Sequence, residues 1–67
     1  MYIDVTIGLG GKRYGVSVDE RQGGSAVCEV LTGTAPVLFK SVLLEKWVRG
    51  DLTFREQGIV SGDLLEA

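Results

Sequence analysis

Two runs of alternating polarity meet at Gly10-Gly11, and this juxtaposition constrains the fold more than any other feature of the chain. Met1, Ile3, Val5 and Ile7 alternate with Tyr2, Asp4, Thr6 and Gly8. Beyond the glycines, Tyr14, Val16 and Val18 alternate with Arg13, Gly15, Ser17 and Asp19. A period of two places one face of each run on a core. With Gly10-Gly11 as a two-residue turn, Ile7 faces Tyr14, Val5 faces Val16 and Ile3 faces Val18. All three apolar pairs then share one side of the ribbon, while Asp4 meets Ser17 and Thr6 meets Gly15 on the other. A slip of one residue would scatter the apolar side chains to both faces. Gly-Gly also supplies the positive φ angles that a primed hairpin turn requires.

The same hairpin disposes of two nucleotide-binding readings of IGLGGKRYG. A phosphate loop needs Gly-x-x-x-x-Gly-Lys-Ser/Thr opening a helix, but Thr6 stands where the first glycine belongs and Arg13 replaces the hydroxyl residue. A dinucleotide fingerprint starting at Gly8 would need a glycine at Arg13, and a helix where the second run predicts a strand.

A chain of 67 residues is expected to form one domain over residues 1–67. A domain of this size buries only about 60% of the surface its unfolded form exposes. Hydrophobic residues make up 45% of the sequence, enough for one core. Seven basic and nine acidic residues give a net charge of −2, with no basic run longer than Lys12-Arg13. This disfavours nucleic acid as a partner, because phosphate neutralisation needs a clustered basic face. Cys28 is the only cysteine and has nothing to pair with, which fits a reducing compartment. MYIDVTI lacks the basic start and continuous apolar segment of a signal peptide, and no apolar stretch approaches membrane-spanning length. The expected location is the cytoplasm, without membrane insertion.

Further along, Ser25 is placed to cap a short helix whose stripe is Ala26, Val27, Val30 and Leu31, ended by Gly33. Over Val37–Val48, Leu38, Phe39, Val42, Leu43 and Trp47 make a helical stripe at period 3.6 while period two gives no clean alternation, so periodicity alone leaves helix and strand open. A strand over Val42–Val48 is the expectation, because the first hairpin needs a third strand to cover its edge. In the tail, Leu52 and Phe54 open a turn-rich segment, Gly58–Asp63 is a connection pinned by one apolar anchor, and Leu64–Ala67 predicts a short last strand.

Strand, glycine turn, strand, helix, strand, anchored turn and terminal strand resembles the ubiquitin-like β-grasp, an α+β fold in which a mixed four- to five-stranded sheet packs on one short helix. MYIDVTI at the start and LTFREQGIVSGDLLEA at the end are the stretches that carry the similarity. Within that superfamily the chain resembles the YukD/EsaB type, small ubiquitin-like accessory proteins of bacterial type VII secretion. The resemblance implies a non-enzymatic cytoplasmic protein that binds a protein partner, with the components of a membrane secretion machine as the candidates.

The residues themselves point away from catalysis. There is no histidine, the commonest general base and a usual metal ligand. Cys28 has no basic neighbour to lower its pKa and reads as core packing. The carboxylate pairs Glu45 with Asp51 and Glu56 with Asp63 show no cleft-forming spacing, and Asp63 suits a turn closed by a side-chain bond to backbone. No catalytic residue, metal ligand or cofactor site is expected. The alternative function, a sulfur or protein-modifier carrier served by an adenylating enzyme, would use a C-terminal Gly-Gly where this sequence has Leu-Glu-Ala. For a partner surface, the exposed face of the third strand in ubiquitin-like folds suggests Leu44, Lys46 and Val48, with Leu43 and Trp47 turned inward. Glu45 on the inward side argues against this phase. Free strand edges also make weak pairing with a second copy an expectation.

Overall fold

A computed structural model describes every residue from Met1 to Ala67. Five strands and one helix follow in the order β1 (Tyr2–Leu9), β2 (Lys12–Asp19), α1 (Gly24–Thr32), β3 (Leu38–Ser41), β4 (Lys46–Arg49) and β5 (Leu64–Glu66). They form one mixed sheet in the spatial order β2-β1-β5-β3-β4. The β1–β5 pair is parallel and the others are antiparallel.

The first hairpin has the register that its alternation demands: Ile3 opposite Val18, Val5 opposite Val16 and Ile7 opposite Tyr14. Gly10 and Gly11 turn the chain with φ of 59° and 79°, values that cost a side-chain-bearing residue about 1–2 kcal/mol. Ile3, Val5, Ile7 and Val18 enter the core from this hairpin. Phe39, Val48 and Leu65 join them from the other strands, Val27 and Cys28 from α1, and Phe54 and Ile59 from the turn-rich tail. Ile59 is the apolar anchor expected between Gly58 and Asp63.

The helix departs from expectation at both its start and its face. Gly23, and not Ser25, occupies the N-cap, with no side-chain cap bond. Ser25 instead donates its hydroxyl to the Pro36 carbonyl and its backbone N–H to the Gly50 carbonyl, tying the first turn to the chain on either side of the β3–β4 hairpin. The buried residues are Gly24, Val27 and Cys28, the i, i+3, i+4 spacing of one helical face. Val30 is 87% exposed and Leu31 sits at the margin. Gly24 belongs to the stripe because it brings the helix against the core: a Cβ there would lie 2.7 Å from the Phe39 ring. Gly33 ends the helix in the left-handed conformation, and its N–H reaches the Glu29 carbonyl.

The expected single strand over Val42–Val48 is corrected to a hairpin. β3 ends at Ser41, residues Val42 to Glu45 turn, and β4 begins at Lys46. Glu45 takes a positive φ of 54°, the only non-glycine residue to do so. This turn resets the alternation and explains why a period of two does not run through the whole segment. No helix in the chain is long and apolar enough to cross a membrane.

Candidate functional site

Helix and tail cover one face of the sheet and leave the other open. On β3 and β4 the pairs Phe39–Val48 and Lys40–Trp47 lie in neighbouring register positions, so they occupy opposite faces. Phe39 and Val48 are buried, 1% and 4% exposed, which directs Lys40 and Trp47 to the open face. Trp47 is 62% exposed and Leu38, paired with Arg49 on the same face, is 51% exposed. The Lys40 ammonium lies over the Trp47 ring, 5.7 Å from its centroid, within the range of a cation–π contact. On β5, Leu64 precedes the buried Leu65 and so turns its half-exposed side chain to the open face, nearer the sheet centre.

The three residues expected as the contact surface are therefore in the wrong phase. Val48 points into the core beside Phe39, and Leu44 is half-buried against that core. Lys46 is exposed, but its partner in register is the buried Ser41, so it belongs to the helix side at the end of the sheet. Trp47 and Leu43, expected to point inward, are exposed. The physical cause is the Val42–Glu45 turn. Strand alternation counts from Lys46, and the unfavourable inward placement of Glu45 was the signal in the sequence that the phase was inverted.

Charges rim this face in ordered pairs. Arg49 reaches Asp51 through two guanidinium bonds of 2.9 and 2.6 Å. Those bonds hold the Asp51 carboxyl below its usual range and raise the Arg49 guanidinium. Arg13 meets Glu66 at 3.3 Å across the sheet, and Glu66 is also opposite Lys40 in register. Arg13, the second basic residue after the Gly10-Gly11 turn, is thus engaged by a carboxylate of the chain itself.

Three of the four carboxylates weighed as catalytic pairs have structural partners. Asp51 is taken by Arg49, Glu56 exchanges bonds of 3.0 Å with the Thr53 backbone and hydroxyl, and Asp63 accepts from Ser41 and from the Leu43 and Leu64 backbone. Cys28 is fully buried, and burial pushes its thiol pKa up, opposite to the shift a nucleophile needs. No three His, Cys, Asp or Glu side chains converge as a metal-binding group.

Comparison with known proteins bears on the fold. No protein-family model matches the chain. No curated protein matches it. Among solved structures it is similar to a de novo design based on ubiquitin, with a TM-score of 0.67 and 19% sequence identity, covering 97% of this chain and 84% of the design. With the mixed five-stranded sheet on a single short helix, the fold is the α+β ubiquitin-like β-grasp.

Proposed function

We propose that this chain is a non-enzymatic protein-interaction module whose open sheet face, centred on Trp47, docks on a protein partner. The observation that carries this reading is the exposure of Trp47 on a face with Leu38 and Lys40 around it. A large ring held on a rigid strand loses little entropy on binding, and Trp with Arg is enriched where interfaces draw most of their energy. Lys40 stacked on the ring and Arg49 held by Asp51 supply a polar rim already ordered before contact. The resemblance of the two ends of the chain to the YukD/EsaB type suggests the setting: a cytoplasmic accessory or regulatory component of a bacterial type VII secretion system.

The test is affinity capture from the source cells with an N-terminal tag on a flexible linker, comparing the native chain with Trp47→Ser and identifying co-purified proteins by mass spectrometry. Membrane secretion components that are recovered by the native chain and lost with Trp47→Ser are the expected result. Recovery that is indifferent to Trp47 overturns the surface. Recovery of an adenylating enzyme joined covalently to the chain replaces the adaptor reading with the carrier one.

A further inference from the structure

The two edges of the sheet are finished differently. At the β4 edge, the Gln57 amide exchanges bonds of 2.6 and 2.7 Å with the backbone N–H and C=O of Arg49, so a side chain covers part of what a further strand would pair with. β2 runs eight residues along the opposite edge, in unbroken register with β1 and without proline or bulge. Its only cover is at the far end. There Gln22 accepts from the Asp19 N–H at 3.1 Å and returns its backbone N–H to the Asp19 carbonyl at 2.9 Å. A long edge of this kind is a template for another strand unless something blunts it.

The backbone directions follow from the hairpin. With a two-residue turn, Leu9 and Lys12 form a bonded pair, and bonded pairs recur at every second residue. Lys12, Tyr14, Val16 and Val18 therefore bond β1, while the N–H and C=O groups of Arg13, Gly15 and Ser17 point away from the sheet. Above this edge, a groove between β2 and α1 is lined by Val16, Val18, Val27, Val30 and Leu31. It accounts for the exposed valine that the helix stripe did not bury.

We infer that β2 pairs antiparallel with β2 of a second copy of this chain, with Val16 facing Val16 on the twofold axis. Charge selects both the partner and its direction. Lys12-Arg13 make one end of the strand basic and Asp19-Glu20 make the other acidic. An antiparallel copy sets basic end against acidic end twice, whereas a parallel copy would set like against like. The side chains of Arg13 and Asp19 keep their partners Glu66 and Arg21, so the end charges orient the encounter while the backbone and the groove hold it.

The register is equally constrained. With Val16 on the axis, Gly15 of each copy exchanges a bonded pair with Ser17 of the other, and both belong to the outward-pointing set. Tyr14 meets Val18 on the helix side, and the Val30 and Leu31 flanks close over the apolar pairs. With Gly15 on the axis, Lys12 would face Val18. With Ser17 on the axis, the basic end would be left without a partner. The pairing joins two sheets at the edge opposite β4, so each copy keeps its Trp47 face free, and it is independent of what that face binds.

Two measurements test this. Sedimentation over a wide concentration range, up to millimolar, is expected to show a reversible monomer–dimer equilibrium. Ser17→Pro removes an outward N–H without breaking a bond to β1, a change tolerated on edge strands. It should weaken dimerisation about tenfold or more. In a Cys28→Ala background with added oxidised glutathione, Val16→Cys should form a disulfide-linked dimer readily, because a non-bonded antiparallel pair sets its Cα atoms about 4.5 Å apart. Ser17→Cys, whose own copy lies diagonally more than about 7 Å away, should not. A chain that stays monomeric throughout overturns the inference, even if an unrelated protein is found on the β2 edge. A dimer indifferent to Ser17→Pro overturns it as well, and so does cross-linking that is as fast in the Ser17→Cys variant as in the Val16→Cys variant. The cross-linking comparison decides the matter if Ser17→Pro fails to fold.

Discussion

The Ser41 hydroxyl donates to the Asp63 carboxylate at 2.5 Å, with both side chains buried, and this contact joins the end of β3 to the turn that leads into β5. The other carboxylate oxygen accepts from the Leu43 N–H at 3.1 Å and from the Leu64 N–H at 2.8 Å. Ser41 in turn accepts from the Leu44 N–H at 3.1 Å. One buried acid thus satisfies donors on two turns that are far apart in sequence. Asp63→Ala should cost about 3 kcal/mol in urea unfolding, since it strands a hydroxyl and two backbone donors. Ser41→Ala should cost about 1–2 kcal/mol. The double variant should cost clearly less than the sum, and additive losses would deny the coupling.

Gly24 sets how closely the helix approaches the sheet. Gly24→Ala would drive a methyl group to 2.7 Å from the buried Phe39 ring. The expected loss is about 1–3 kcal/mol, despite the better helix propensity of alanine. Thermal unfolding of the Gly24→Ala chain measures this, and a stabilised variant would mean that the helix can shift outward at little cost.

Trp47 and Val48 are adjacent in sequence and opposite in consequence. Trp47→Ser should leave stability within about 1 kcal/mol while removing partner binding. Val48→Asp should unfold the domain at ordinary temperature, because an unpaired carboxylate would be buried against Phe39. Far-ultraviolet circular dichroism of the two variants separates these outcomes, and the reverse order of stability would restore the inverted strand phase.

Glu45 occupies the left-handed region with φ of 54° and closes the β3–β4 turn. Glu45→Gly relieves that strain at the expense of a more flexible unfolded chain. A net gain of about 0.5–1 kcal/mol is expected, raising the midpoint of a domain this size by about 2–8 °C. Calorimetry of the two chains checks it.

Acid should destabilise the fold in a defined window. Side-chain bonds from Arg21 hold the Asp19 carboxyl well below the usual carboxylate range, Arg49 lowers Asp51, and the Thr53 backbone N–H lowers Glu56. Depressed carboxyl groups stabilise the folded chain above their unfolded values of about 3.9–4.3, and that contribution is lost as pH falls below them. At the other end, the raised thiol of buried Cys28 favours folding until the unfolded thiol ionises at about 8.5, and stability falls beyond it. The thermal midpoint should be flat between about pH 5 and 8 and decline on both sides. The three carboxyl groups lie at the surface, so the acid decline should be shallow and reduced by salt. A midpoint that rises on acidification would contradict the ion pairs.

The hairpin was legible because its information is local. Alternation and a two-residue glycine turn together specify register, face and direction, and Ile3, Val5, Ile7 and Val18 reach the core as the pattern requires. Gly33 as a helix stop and a single apolar anchor within Gly58–Asp63 were legible for the same reason, and the structure makes that anchor Ile59. The contact surface was not. Whether Val42-Leu43-Leu44 continues a strand or turns depends on Asp63, twenty residues away, whose carboxylate accepts the Leu43 N–H. Gly23 and Gly24 are points of close approach to Gly50 and Phe39, which no pattern of neighbouring residues marks. Ser25, placed to cap the helix, spends its hydroxyl on Pro36.

By itself, then, the sequence determined a single small hairpin-led α+β domain of the β-grasp order, because periodicity, turn chemistry and apolar content act between neighbours along the chain. Only the tertiary structure decided that Trp47 faces outward and Val48 inward, that β2 is the uncovered edge, and that Asp63 is a buried junction. Each of those depends on which distant segment reaches a backbone N–H first, and a buried polar group must find that partner within the folded chain.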